Sequence, residues 1–358
     1  MNAIATALAT IRPVVAARGS LRIMEVCGTH TVSLFRTGVR SLLPQGLKLL
    51  SGPGCPVCVT AQGYIDAACD LARRPEVTIA TYGDLVRVPG GKGSLAEARA
   101  QGGRVEVVLS GHDAVRLAQQ DANRQVVFLA VGFETTTPAT ALAVLEAEAL
   151  GLNNFTVLGA HKLVVPAMQA LLAAGDVPLD GFLCPGHVSV IIGSEAYRPV
   201  VERHRKACVV AGFEPAGMLA GLARLAEMVR DGKPDLDNCY PLVVKPAGNP
   251  HAQAIVNRVF QPGDATWRAM GVIPASGLDL RPAYAGFDAH VRFGVRSDRD
   301  GHPAGCRCGE VIQGRIDPNE CALFRTTCTT AHPIGPCMVS SEGTCAAWYK
   351  YARVQGNT

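Results

Sequence analysis

The sequence predicts an α/β protein: two parallel-sheet α/β domains followed by a small cysteine-rich Fe–S cluster domain. Three observations carry this. Short apolar, β-branched runs alternate with helical stretches along most of the chain, polar turns rich in Gly, His, Glu and Cys follow the runs, and six of the 13 cysteines crowd between Cys306 and Cys345. Near-continuous apolar strands spaced by helices argue for parallel sheets covered on both faces, and the turns at their carboxyl ends are where such sheets bind ligands.

The opening MNAIATALATIRPVVAARGS reads as an amphipathic helix over 1–19 rather than a leader, because Arg12 and Pro13 interrupt it and no basic start precedes its apolar part. Strands are then expected at 21–26, 47–51, 77–82, 105–110, 126–131, 155–160, 181–184, 207–212 and 240–244. The tripeptide GFE at 132–134 recurs at 212–214, which suggests two similar units, placed at 20–120 (with CGTH and GPGCPVC) and 121–245 (with GFETT and PGH). From Pro246 the chain turns to Gly- and Pro-rich loops, so 246–358 is assigned to the cysteine-rich domain, with helix 1–19 packed against it. Such a segment buries little apolar area alone, and a metal centre is its natural organiser.

Composition removes several classes. With 358 residues, 48% hydrophobic and 18% charged, the chain is globular, not disordered. The net charge of +4 arises from 34 basic and 30 acidic residues without a like-charge run, so no nucleic-acid partner is expected. The best apolar stretch, 157–174, is broken by His161 and Lys162, so no membrane span is expected and the protein is read as soluble and cytoplasmic. Thirteen cysteines, an odd number in a chain with ample core, point to metal or redox chemistry rather than a disulfide framework. Cys69, Cys184, Cys208 and Cys239 read as small buried hydrophobes.

Cys321, Cys328, Cys337 and Cys345 form C-x6-C-x8-C-x7-C. Four thiolates hold zinc or a 4Fe-4S cluster, and gaps this wide suit the bulkier cluster better than the paired knuckles of zinc sites. Cys306 and Cys308 could supply alternative ligands. In GPGCPVC, Pro56 falls near the first position of a helix running through VTAQGYIDAACDLARR, which puts Cys55 at its cap and makes it the more reactive thiol of the pair. Cys55 and Cys58 then form a reversible disulfide, half of a metal site, or a structural pair. In CGTH, Cys27 and His30 read either as a nucleophile and base or as a partial coordination site for iron. Glu134 in GFETTTP could orient a ligand at a helix start or merely cap it, and His187 in CPGHV could move a proton. No phosphate-loop, dinucleotide or HExxH motif occurs.

Taken together and in order, MEVCGTHT, LSGPGCPVC, VGFETTTP, CPGHVS and CMVSSEGTCAAWYKY resemble the HypD family of hydrogenase maturation factors over nearly the full length. The resemblance implies a scaffold for assembling the Fe(CN)2CO group of [NiFe]-hydrogenases, in complex with the small chaperone HypC and receiving cyanide from HypE. It places the iron-binding thiolate on Cys27, the redox pair on Cys55 and Cys58, and the 4Fe-4S ligands on Cys321, Cys328, Cys337 and Cys345. His30, Glu134, His187 and Glu342 lie inside matching motifs with roles left open. The mononuclear iron, with its cyanide and carbonyl ligands, would be transient cargo, with Cys55 or Cys58 the next thiols able to hold it. Two rivals stand: an Fe–S-dependent disulfide reductase acting without mononuclear iron, and a cysteine hydrolase using Cys27 and His30 over a structural zinc.

Overall fold

A computed structural model describes residues 3–352. Strands β1 (Leu21–Glu25) and β2 (Leu47–Ser51) pair in parallel, and the chain then leaves them. It builds β3 (Val77–Thr81), β4 (Val105–Val107), β5 (Gln125–Gly132) and β6 (Phe155–His161), then returns for β7 (Gly181–Pro185), β8 (Ala207–Ala211) and β9 (Leu236–Asn238). The result is a five-stranded parallel sheet in the order β2-β1-β7-β8-β9 and a four-stranded parallel sheet in the order β4-β3-β5-β6. The expected division into 20–120 and 121–245 is therefore not how the strands group. β1 lies between β2 and β7 with Ile23 opposite both Leu49 and Gly181, so the first sheet needs strands from both segments. The repeated GFE does mark equivalent places, the carboxyl ends of β5 and β8.

Both sheets are apolar through their width. β8 is buried at every position and β5 at all but its first residue, as parallel strands covered by helices on two faces should be. The opening helix, Ala3–Arg18, buries Ala7, Leu8, Ile11, Val14 and Val15, a stripe at helical spacing. It packs on Met218, Leu219 and Leu222 of the helix Pro215–Arg230 over the first sheet, not on the cysteine-rich segment as expected, because that helix presents the complementary apolar stripe.

Two further expectations change. Residues 240–244 are a turn and the strand comes earlier, at Leu236–Asn238. The Asn238 side chain closes the turn, accepting from Tyr240 N and donating to Val244 O, and leaves Leu242 exposed. The region after Pro246 is not only loops: it holds the helix Pro250–Val259 and the antiparallel hairpin of β10 (Phe260–Trp267) and β11 (Gly271–Leu280), with an irregularity between Gly263 and Ala265. Trp267 on this hairpin is fully buried and donates through Nε1 to Ser276 Oγ at 2.8 Å. The cysteine tail beyond it shares one core with both sheets, where Cys308, Val311, Cys337 and Met338 join Met24, Leu50 and Val127. Among the described residues no helix is long and apolar enough to cross a membrane.

Candidate metal and thiol centre

The site is built where β1 ends. Cys27 keeps extended backbone and caps the helix Gly28–Arg36. Gly28 N donates to Gly54 O at 3.1 Å, so the CGTH turn lies directly on the GPGC turn that follows β2. This approach requires glycine on both sides: a Cβ on Gly54 would sit 2.3 Å from Cys27 N, and one on Gly28 would sit 2.3 Å from Glu342 O. The third segment is thus the SSEG turn of the tail, and Thr29 Oγ1 donates to Glu342 Oε1 at 2.8 Å. Asp84, in the YGD turn after β3, anchors that loop by accepting from Ser341 N and Ser341 Oγ, both at 2.9 Å.

Burial pushes the Cys27 thiol up to about 12, and the nearby Glu342 carboxylate pushes the same way. Near neutral pH it therefore keeps its proton. His30 is fully buried, and its Nε2–H donates to Gly212 O at 3.0 Å, which leaves Nδ1 without a partner. Burial lowers its pKa to about 4, so the ring is neutral. No hydrogen bond joins the ring to the Cys27 sulfur among the described residues, and no carboxylate orients it. The nucleophile–base dyad of a cysteine hydrolase is therefore not assembled. Phe213, which sequence reasoning missed, stacks between the two histidines, its ring centroid 4.7 Å from that of His30 and 4.0 Å from that of His187. Its only sequence signal was its place in the second GFE. His187 itself is exposed.

Glu134 stands apart. Its Oε1 accepts from Val164 N at 2.9 Å at the start of the helix Val164–Ala174, its Oε2 is buried without a partner, and burial raises its pKa to about 7. It caps the segment after β6, and no hydrogen bond or ion pair ties it to the Cys27 turn among the described residues.

Cys55 and Cys58 are paired as a disulfide with Cα atoms 5.3 Å apart. Cys55 caps the helix and Pro56 opens it as expected, but this helix is only Pro56–Val59. The long helix expected there breaks because Thr60 pairs in extended form with Trp267, and a second helix, Gln62–Ala72, starts afresh. Both sulfurs' residues are buried, Cys55 at 4% exposed and Cys58 at 0%, which closes the pair to a bulky thiol substrate.

In the tail, Cys321, Cys328 and Cys345 line one small cavity together with Cys306 and Cys308. Cys337, fully buried, receives Cys345 N on its sulfur at 3.2 Å, and Ile334 N donates to the Cys328 sulfur at 3.4 Å. Six thiols thus gather where four were expected. A hydrogen bond from the Cys308 thiol, aided by the Arg268 charge, lowers the Cys306 thiol to about 6. Arg268, which the sequence did not single out, is fully buried, donates Nε to Thr60 O at 2.9 Å, and leaves one terminal nitrogen without a partner. Buried thiols receiving backbone N–H groups near a buried guanidinium suit an anionic thiolate-bound cluster. The helix Pro336–Val339 carrying Cys337 packs against Pro56–Val59, so the helix of the disulfide adjoins both the tail and the Cys27 turn. Cys69, Cys184 and Cys208 are buried as expected, while Cys239 is half-buried.

A family model named HypD and described as the hydrogenase formation hypA family matches residues 2–352. The chain belongs to the HypD family of hydrogenase maturation factors. It is 45% identical over 339 residues to the hydrogenase maturation factor HypD of Azotobacter vinelandii, covering 93% of this chain and 89% of that one. It is 44% identical over 332 residues to HypD of Escherichia coli (92% and 89% covered) and 45% identical over 342 residues to HypD of Rhizobium leguminosarum bv. viciae (93% and 89%). The HypD match spans both sheets, the hairpin and the cysteine tail, so every segment that builds the centre lies inside it.

Proposed function

We propose that this chain is the scaffold on which the Fe(CN)2CO group of [NiFe]-hydrogenases is assembled, with iron held as cargo by Cys27 and a cysteine of the small chaperone HypC, and cyanide delivered by HypE. The observation that carries this is the meeting of the CGTH, GPGC and SSEG turns on Cys27, with the helix of the Cys55–Cys58 pair packed against the helix that carries Cys337. Soft thiolates suit a low-spin iron. Arrival of the cation releases the proton that burial and Glu342 keep on Cys27. Glu342, fixed through Thr29, holds the turn in place, and the bare Nδ1 of His30 is a buried acceptor within the same turn.

Cys321, Cys328, Cys337 and Cys345 would hold a 4Fe-4S cluster, which when bound supplies one-electron chemistry. Cys55 and Cys58 exchange electrons in pairs: closing the dithiol to the disulfide releases two electrons and two protons. The burial of both residues favours such internal exchange over a free-standing disulfide reductase. The test is an infrared spectrum of the anaerobic complex with the small partner. Cyanide and carbonyl stretching bands are expected from the parent protein and their loss from Cys27→Ala. Bands that persist in Cys27→Ala would place the iron elsewhere and overturn the reading.

A further inference from the structure

At the carboxyl end of β6 the turn GAHK (159–162) opens on a cavity of about 300 Å³ that the chemistry above does not use. Four segments wall it: the end of β6, the β10–β11 hairpin, Thr60 to Tyr64 beyond the cysteine pair, and the stretch from His290 to Asp298. The carboxyl edge of a parallel sheet is where small ligands bind, and the volume is at the lower end of small-molecule sites.

Its charges are unspent. Lys162 is 6% exposed, and its ammonium makes no hydrogen bond or ion pair among the described residues. Burial lowers its pKa to about 8, opposed only by the charge of Asp279. Asp279 lines the same cavity, and its carboxylate has no hydrogen-bond partner among the described residues. It lies over Gly263 so closely that a Cβ there would meet Asp279 Oδ2 at 1.9 Å. Asp264 spends one oxygen on Ala275 N at 3.0 Å and keeps the other. Tyr64 is committed to Leu158 O, His290 to Asp288 and Ser297, and His161 through Nε2 to Thr140, while Asp298 adds an exposed carboxylate at the rim.

A buried ammonium and a carboxylate that share a cavity without pairing leave room between them for a molecule carrying the opposite charges. A bare divalent cation does not answer to this, since the Lys162 ammonium in the same cavity would repel it. We propose that this cavity binds a small ω-amino acid, its carboxylate on Lys162 and its ammonium on Asp279 and Asp264.

The test is isothermal titration of the full chain with the series from glycine to 6-aminohexanoate, each compared with the carboxylic acid and the amine of equal chain length. At least one member is expected to bind tenfold or more tightly than either of its halves. Lys162→Met, which keeps the side-chain length without the charge, and Asp279→Asn, at an exposed site, should each remove that preference, while Cys27→Ala should keep it. Failure of every member to bind more tightly than its halves would overturn the proposal. So would unchanged binding in both Lys162→Met and Asp279→Asn.

Discussion

Glu134 shows how much a single buried group shapes the behaviour of this chain. Its ordinary pKa is 4.5, and burial raises it to about 7 in the fold. The folded state therefore binds more protons across that window, and the contribution of Glu134 to stability, whole below 4.5, is lost as pH rises through 7. Glu25, also raised to about 7 by burial with Arg40 opposing, acts in the same sense. His30 and His161 act oppositely: burial lowers each from 6.5 to about 4, so their contribution is present above 6.5 and lost as pH falls through 4. Glu134→Gln keeps an acceptor for Val164 N and removes the ionisation. Its melting temperature should exceed the parent's by a few degrees at pH 8 and converge with it below 4.5. A difference that does not vary with pH would show that Glu134 is not the titrating group. The tail thiols give a second expectation at this scale. Iron and sulfide analysis after anaerobic purification should show the cluster lost from Cys321→Ala, Cys328→Ala, Cys337→Ala and Cys345→Ala but kept in Cys306→Ala and Cys308→Ala. Retention in Cys337→Ala would reassign the ligand to Cys306 or Cys308, which face the same cavity.

The turns are the elements on which the centre depends, and glycine sets how closely they approach. Gly54→Ala would drive a Cβ to 2.3 Å from Cys27 N, against backbone that cannot yield without separating the two turns. It should cost about 1–3 kcal/mol in urea unfolding, as overpacking does, and weaken iron retention. Gly286→Ala, with nothing within 4 Å of the added carbon, is the control and should change neither. Equal stability of the two variants would mean that the CGTH and GPGC turns do not bear on one another. These turns were legible in the sequence because Gly, Cys and His at strand ends have local causes. The strands β1 to β8 were legible for the same kind of reason, their apolar runs being continuous. The β10–β11 hairpin was not, since Pro262, Gly263, Pro274 and Gly277 punctuate its alternation and its order comes from distant partners such as Thr60 on Trp267. Arg268 and Phe213 escaped notice likewise, because each matters only through groups far away in the chain.

At the scale of the whole molecule the decisive feature is the order of the strands, which no local pattern encodes. Apolar runs announce that strands exist, but which strand lies beside which depends on crossovers, and here the second sheet is completed between two visits to the first. A division at residue 120 therefore cuts both sheets. A fragment 20–120 holds β1 and β2 without β7, and β3 and β4 without β5, so each sheet keeps an open edge and an apolar face with nothing to cover it. A fragment 61–175 instead holds β3 to β6 entire, with the helices Gly111–Gln120 and Thr137–Ala149 packed on one face and residues of Gln62–Ala72 and Val164–Ala174 in the core on the other. Since parallel sheets hold together only when both pairing and covering are supplied, 20–120 should show no cooperative thermal transition by circular dichroism, whereas 61–175 should show one below that of the full chain. A sharp transition in 20–120 would mean that its four strands find another arrangement, and that the interleaving is not what makes the two sheets fold as one.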